Sequence, residues 1–155
     1  YAGYMDRQAP DEVVTDCLLL VQHLMNKVEI EVRREQNSSG LVLMNRTELQ
    51  QVIINLIVNA IHAMPNGGTL TLRSFDQARE GTEGLVIEVA DTGKGMPAEV
   101  LKKAFDPFFT TKRREGTGLG LSISQTLISR CGGHISAQSV EGEGTRFSIW
   151  LPAAA

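Results

Sequence analysis

Apolar residues recur at helical spacing in four stretches of the chain and alternate with polar residues in six others. Two of the helical stretches have typical start signals, namely Pro10 followed by two acids, and Thr47 with Gln50 three residues later. The predicted helices span residues 10–28, 47–64, 98–104 and 118–130. The predicted strands span residues 28–32, 41–44, 69–75, 85–90, 135–140 and 146–151.

Polar turns separate these elements and group the strands into three adjacent pairs. Adjacent pairs indicate a sheet that is mainly antiparallel or mixed. The helices are too few to cover both faces of a sheet, so they should pack on one face. We therefore predict an α+β two-layer sandwich, formed by a single domain over residues 1–155.

Composition and charge narrow the functional classes. With 155 residues, of which 42% are hydrophobic and 21% charged, the chain is typical of a globular domain rather than a disordered segment. Lys and Arg are spread along a chain of net charge −3, which argues against nucleic-acid binding. No apolar run approaches the roughly 18 residues of a spanning helix, so we expect no membrane contact by this domain.

The first residue and the two cysteines indicate what kind of protein the chain comes from and in which compartment it works. Because the sequence begins with Tyr1 rather than Met, we expect it to be part of a longer protein. Cys17 and Cys131 form no CxxC pair, which favours a reducing compartment over a disulfide framework, so we expect a cytoplasmic domain. Whether the parent protein is membrane-bound stays open.

The predicted helix 47–64 is apolar almost all round, which is typical of a buried helix, yet three polar residues share one face. They are Asn55, Asn59 and His62, at spacing i, i+4 and i+7. Buried amides need partners, so this stripe meets either internal hydrogen bonds or a polar ligand, and both readings stay open. An Asn oxygen can bind Mg²⁺, which prefers oxygen donors. No other histidine or cysteine supports a transition-metal site around His62.

Glycine is unevenly distributed, since 13 of the 15 glycines lie between Gly67 and Gly144. Asp91 directly follows a predicted strand and precedes Gly93 and Gly95. Its carboxylate could accept from an exocyclic amine while the glycine backbone approaches a flat ligand. A tight turn with a surface Asp is the alternative.

A second glycine cluster, Gly116, Gly118 and Gly120, leads into the last predicted helix. Free backbone N–H groups at a helix start can bind phosphate, and a flexible loop is the alternative. The spacing is not the GxGxxG of dinucleotide-binding folds, because Leu121 stands where the last glycine would be, and the chain has no P-loop motif. Lys112, just before the cluster, is the candidate for reaching a terminal phosphate.

In their order along the chain, these segments resemble the N box, the F box and the three glycine boxes of sensor histidine kinases. The resemblance rests on Asn55–Ala60, Asp91–Gly95, Phe105–Phe109, Gly116–Leu121 and Gly142–Thr145, the last of which alone would indicate only a hairpin turn. It covers about residues 8–152. It implies the Bergerat ATP-binding fold of the GHKL superfamily, with ATP and Mg²⁺ bound. The short spacer before the second glycine box resembles the nitrogen-regulation type, whose ATP lid is short.

The resemblance implies roles for the adenine and metal end of the site. Asp91 would hydrogen-bond the adenine amine, and Thr145 would support adenine recognition. Asn59 would hold Mg²⁺ between the phosphates, with Asn55 beside it. His62 stands one turn after the Mg²⁺-binding Asn, where the family often has Lys or Arg.

The resemblance also implies a phosphate end. Backbone amides around residues 118–120 would bind the phosphates, and a mobile lid over about residues 96–117 would bring Lys112 to the γ-phosphate. The expected catalytic residues are thus Asn55, Asn59 and Lys112. Further residues expected to contact ATP are His62, Ala63, Gly93, Gly95, Met96, Thr110, Thr111, Gly116, Thr117, Gly118, Leu119, Gly120 and Leu121.

Proteins of this type phosphorylate a histidine on a separate helical dimerisation domain and relay the phosphoryl group to a response regulator. None of His23, His62 and His134 stands in the expected setting, since an acidic residue usually follows the phosphoacceptor and none follows these. We therefore expect the dimerisation domain to lie upstream of this chain in the parent protein. We also expect a response regulator to be its partner, and we expect the isolated domain not to phosphorylate itself.

Two rival functions belong to other classes. Hydrolytic GHKL ATPases of the gyrase, mismatch-repair or heat-shock chaperone kind carry Glu four residues before the Mg²⁺-binding Asn, where this chain has Asn55. They also need a downstream transducer domain, and we expect none after Pro152 in this protein. The second rival is a degenerate nucleotide-binding module used for docking, which the complete set of boxes disfavours.

Overall fold

The computed structural model describes residues 5–106 and 120–154 and has the predicted α+β architecture. Its helices are α1 (Pro10–Leu20), α2 (Gln22–Met25), α3 (Arg46–Ala63), α4 (Ala98–Leu101) and α5 (Gly120–Arg130). Its strands are β1 (Asp6–Gln8), β2 (Ile30–Asn37), β3 (Val42–Met44), β4 (Gly68–Asp76), β5 (Gly84–Asp91), β6 (His134–Val140) and β7 (Gly144–Pro152).

The main sheet is mixed, as predicted, and has the strand order β2-β4-β5-β7-β6. β2 runs parallel to β4, whereas the other neighbouring strands of this sheet are antiparallel. A parallel pair requires a crossover connection, and α3 provides it because it lies between β2 and β4 in the chain. The pairings of β4 with β5 and of β6 with β7 confirm two of the three predicted adjacent pairs.

The third predicted pair, residues 28–32 with 41–44, is wrong. β3 pairs instead with β1 in a separate two-stranded sheet. β1 was not predicted, because three polar or charged residues show no alternation that could reveal a strand. β2 also begins two residues later than predicted and extends to Asn37, through the start of the predicted turn. Its parallel partner β4 lies far along the chain, so no local turn signal could indicate the pairing.

The first predicted helix is interrupted. The backbone leaves the helical region at Val21, with φ −103° and ψ 8°, which separates α1 from α2. The predicted helix 98–104 is shorter than expected, since α4 ends at Leu101 and single turns follow it. The apolar periodicity continues through both irregularities and therefore did not predict them.

α3 is the 18-residue buried helix that the sequence predicts. Its capping residue is Asn45 rather than the predicted Thr47, because the Asn45 Oδ1 accepts from the Glu48 N–H at 2.9 Å. Leu49, Ile53 and Leu56 of α3 are fully buried. No helix in the described part of the chain is both long and apolar enough to cross a bilayer.

The helices pack on one face of the main sheet, as predicted. Their apolar residues share one core with the inward side chains of the central strands, such as Leu70, Ile87 and Ile149. The opposite face is polar at its centre, where Arg73 Nη1 lies 2.8 Å from Glu88 Oε1. The described residues therefore form two layers, a mixed sheet and a layer of helices on one of its faces.

Candidate functional site

Three polar side chains lie side by side across β5, β7 and β6. Asp91 pairs with Thr145 between β5 and β7, and Thr145 pairs with Ser139 between β7 and β6. Residues directly opposite one another in neighbouring strands point to the same face of a sheet. This face is the helical one, because Val89 and Phe147, two residues away on the same strands, are buried in the core. We call Asp91, Thr145 and Ser139 the polar row.

Asp91 is fixed by two backbone donors that bind the same oxygen. Its Oδ1 accepts from the Gly93 N–H at 2.8 Å and from the Thr145 N–H at 3.3 Å. No residue of the described ranges donates to Oδ2, so this oxygen can accept from a ligand. Burial raises the pKa of the Asp91 carboxyl, and the two backbone hydrogen bonds partly offset that effect. The half-buried carboxylate is therefore oriented and incompletely paired until a ligand donor reaches it.

Ser139 connects the polar row to the loop after β5. Its Oγ accepts from the Met96 N–H at 2.7 Å, donates to the Gly144 carbonyl at 3.0 Å and lies 2.8 Å from Thr145 Oγ1. Ser139 was not among the predicted site residues. The alternation along β6 was the signal that could have found it, since a polar residue stands on the inward side, two residues after Ala137.

The loop after β5 fits closely against α3 and against the β6–β7 hairpin. The Lys94 N–H donates to the Ala63 carbonyl at 3.0 Å, and a Cβ added to Gly93 would lie 2.3 Å from the same oxygen. A Cβ on Gly95 would lie 2.2 Å from the Val140 carbonyl oxygen. The two glycines therefore allow an approach that no larger residue permits.

The polar stripe of α3 runs from this loop to the start of α5. Asn55 lies against Gly120, where an added Cβ would be 2.7 Å from Asn55 Oδ1. Asn55 Nδ2 also donates to the buried Ser124 Oγ at 3.4 Å. Asn59 is half-buried and makes no side-chain hydrogen bond to any other described residue. The stripe is thus satisfied internally at Asn55 and has an amide open to a ligand at Asn59.

The described members of the predicted site lie on these connected elements. They are Asn55, Asn59, His62, Ala63, Asp91, Gly93, Gly95, Met96, Gly120, Leu121 and Thr145. Seven further predicted residues lie outside the described part of the chain, as does the second half of the predicted lid. These are Thr110, Thr111, Lys112, Gly116, Thr117, Gly118 and Leu119.

Phe105 begins the segment that resembles an F box, and the structure gives it a packing partner. Its ring meets the Phe147 ring edge-on, with centroids 6.3 Å apart and an interplanar angle of 90°. Phe147 is buried in the core two residues after Thr145. Phe105 therefore anchors the chain beyond α4 to the same strand that carries the site.

Gly144 is expected to be the least replaceable glycine of the hairpin. Its φ is +134°, and an added Cβ would lie 2.0 Å from the Asp91 carbonyl oxygen. We expect Gly144→Ala to lower the free energy of unfolding by about 2–4 kcal/mol and to displace Asp91 from Thr145. Chemical denaturation measures the first effect. Gly142→Ala is the matched control, because Gly142 also has a positive φ but has no atom within 4 Å of an added Cβ. Equal losses in both variants would contradict the steric argument.

The fold and this connected site match a known protein family. The family model for histidine kinase-, DNA gyrase B-, and HSP90-like ATPases matches residues 44–155. The chain is 39% identical over 143 residues to the sensor histidine kinase ZraS of Salmonella typhi, which covers 92% of the chain. It is 41% identical over 154 residues to the sensor kinase CckA of Brucella abortus, which covers 91% of it. The chain spans 30% and 16% of the lengths of these relatives.

Solved structures agree with the family match. The catalytic domain of the histidine kinase ThkA superposes with a TM-score of 0.84 at 32% identity, covering 98% of this chain and 99% of that one. Full-length ShkA in complex with AMPPNP has the same fold, with a TM-score of 0.83 at 23% identity, and this chain covers 33% of it. The chain therefore belongs to the family of histidine kinase-, DNA gyrase B- and HSP90-like ATPases, as an ATP-binding catalytic domain of the sensor histidine kinase type.

Proposed function

We propose that this domain transfers the γ-phosphoryl group of ATP to a histidine on a dimerisation domain of the same protein, outside this chain. The phosphoryl group would then pass to a response regulator. Relatives named sensor kinases that are several times longer than this chain support a partner domain within the same protein. ATP and the two free cysteines are both compatible with the cytoplasm, where we propose the domain works.

The observation that carries the proposal is the orientation of Asp91. Its Oδ1 is occupied by two backbone donors, which leaves Oδ2 as an acceptor at the end of strand β5. An exocyclic amine such as that of adenine supplies the matching donor. The loop with Gly93 and Gly95 packs against the Ala63 and Val140 carbonyls, which holds the backbone next to the carboxylate in place.

The phosphate end of the site would lie along the α3 stripe toward α5. The helix rises about 12 Å from Asn55 to Ala63, which suits a ligand with a base at one end and phosphates at the other. The N-terminus of α5, at Gly120, faces Asn55 and can donate backbone hydrogen bonds to phosphate. Lys112, which we propose for the γ-phosphate, lies outside the described residues.

The donors of the stripe fit Mg²⁺ rather than a softer metal. Within the described ranges, no group of three His, Cys, Asp or Glu side chains could hold a metal ion. The half-buried Asn59 instead offers an amide oxygen, the hard donor that Mg²⁺ accepts together with phosphate oxygens. We propose that Asn59 holds the ion, with Asn55 beside it. The ion would neutralise phosphate charge, and the chain itself would position the nucleotide.

The nitrogen-regulation type remains a narrower proposal within this function. The names of the relatives do not separate it from other sensor kinases. The spacer that prompted it falls between residues 107 and 119, outside the described residues. We retain it as a hypothesis about the length of the lid.

The isolated chain is expected to bind ATP but to hydrolyse it very slowly. Asn55 stands where a hydrolytic relative is expected to carry Glu, and its Nδ2 already donates to Ser124. A neutral amide cannot accept a proton from water, so no general base is present at this position. Incubation with γ-labelled ATP should therefore release little phosphate and leave the chain unlabelled.

Asn55→Glu is the variant to compare with the wild type, because it places a carboxylate, a possible general base, at the same position of α3. Rapid hydrolysis by the wild-type chain, or labelling of His23, His62 or His134, would contradict the kinase proposal and favour the ATPase rival. ATP binding that does not depend on Mg²⁺, with no phosphoryl transfer, would favour the docking module. Both outcomes can be read from one assay if bound nucleotide and released phosphate are measured together.

A further inference from the structure

The hydrogen bonds around Ser139 determine which way its proton points. A serine hydroxyl has one proton and two lone pairs. The Gly144 carbonyl can only accept and the Met96 N–H can only donate, so the Ser139 proton goes to Gly144. The 2.8 Å contact between Ser139 Oγ and Thr145 Oγ1 must then be donated by Thr145. Ser139 therefore uses all of its hydrogen-bonding capacity within the protein.

This assignment fixes the character of the Thr145 hydroxyl. Its only proton points to Ser139, so Oγ1 retains only lone pairs toward the remaining directions. Asp91 lies directly opposite Thr145 in the strand register and offers the lone pairs of Oδ2. Two acceptors thus stand next to each other on the same face of the sheet, with no donor of their own.

We propose that Ser139 is a positioning residue that keeps Thr145 an acceptor and so makes the polar row selective for a purine with an amine at position 6. The inference rests on the proposed ATP-binding role of Asp91 and adds a determinant of base specificity. An amine has two N–H donors for two acceptors, whether they meet directly or through a water. A keto oxygen at the same position meets lone pairs only, which disfavours it.

Removal of the Ser139 hydroxyl should change the chemistry of Thr145 more than its position. Without that acceptor, the Thr145 hydroxyl is free to rotate and donate to a ligand. A donor can pair with a keto oxygen as readily as an acceptor pairs with an amine. The backbone of Thr145 stays fixed, because its N–H bonds to Asp91 and its strand pairs on both sides.

The test compares ATP with inosine triphosphate, which carries a keto oxygen in place of the amine at position 6. Both compete with a fluorescent nucleotide for the 155-residue chain. We expect Ser139→Ala to weaken ATP binding about threefold and to strengthen inosine triphosphate binding, lowering the preference for ATP about tenfold. Ser139→Thr, which keeps a hydroxyl, should retain the wild-type preference.

Ser136→Ala is the matched control, since Ser136 lies on the opposite face of β6 and is exposed. If Ser139→Ala does not fold, Ser139→Cys gives the same comparison with a much weaker hydrogen-bonding group. If Ser139→Ala weakens the binding of both nucleotides equally, or leaves the preference for ATP unchanged, Ser139 does not determine base specificity and its role is packing alone. A wild-type chain that binds neither nucleotide would instead overturn the proposed function.

Discussion

Asp91→Asn is expected to weaken ATP binding about 30- to 100-fold. The variant keeps an oxygen that can accept from Gly93 and Thr145, so the loop should retain its conformation. It replaces the acceptor Oδ2 with an NH₂ group. This group would then face the adenine amine, and two hydrogen-bond donors cannot pair. Titration calorimetry with ATP measures the loss.

The free domain should not lose stability in this variant. Burial raises the folded-state pKa of the Asp91 carboxyl, so the folded state holds a proton that the unfolded state has released over the interval between the two pKa values. The free energy of unfolding of the wild type therefore falls as pH rises through that interval, because the buried carboxyl becomes charged. The amide of Asp91→Asn stays neutral and avoids this loss. Unfolding of Asp91→Asn at neutral pH should be at least as difficult as that of the wild type.

The pH dependence of binding follows from the same shift. ATP affinity of the wild type should fall as pH falls through the raised pKa of Asp91, because protonation replaces an acceptor with a donor. This acid-range dependence should be lost in Asp91→Asn. If Asp91→Asn binds ATP with unchanged affinity, or keeps the wild-type preference for ATP over GTP, Asp91 does not recognise adenine.

Asn59→Ala is expected to abolish phosphoryl transfer, with an effect larger than that of any substitution at His62. The reason is the loss of the amide oxygen that we propose as the Mg²⁺ ligand, since a metal between the phosphates is needed for charge neutralisation. The Mg²⁺ dependence of ATP binding should weaken in parallel. Calorimetry with ATP in the presence and absence of Mg²⁺ distinguishes loss of the metal ligand from a general loss of nucleotide binding.

Gln51→Ala provides the control on the same helix, because Gln51 is exposed. It should leave both the affinity and its Mg²⁺ dependence unchanged. If Asn59→Ala binds Mg²⁺-ATP as the wild type does, the metal must be held elsewhere and the assignment fails. Loss of binding without any change in Mg²⁺ dependence would mean that Asn59 contacts the nucleotide itself.

Much of this fold follows from local patterns in the sequence. The buried α3 and the β4–β5 and β6–β7 pairs were predictable, because periodicity and turn residues are local signals. The parallel pairing of β2 with β4 was not, since it depends on which strands the core brings together. The short strand β1 was missed for the same reason, as only its pairing with β3 defines it.

The candidate site shows the same division. Asp91 and Asn59 stand out in sequence because a carboxylate after a strand and an amide in an apolar helix are chemically unusual. Ser139 does not, since a serine near a hairpin is ordinary until Met96, Gly144 and Thr145 are seen around it. The motifs therefore identify residues that would touch the ligand, whereas residues that orient them emerge only from the three-dimensional contacts.

The most direct test of the central claim mixes this chain with the separately produced dimerisation domain of its parent protein and γ-labelled ATP. The proposal predicts that label appears on a histidine of the added domain, requires Mg²⁺, and is absent with Asn59→Ala. The chain itself should stay unlabelled. If the label is released as phosphate at a high rate and none reaches the added domain, the domain is an ATPase and the claim of phosphoryl transfer to histidine is contradicted.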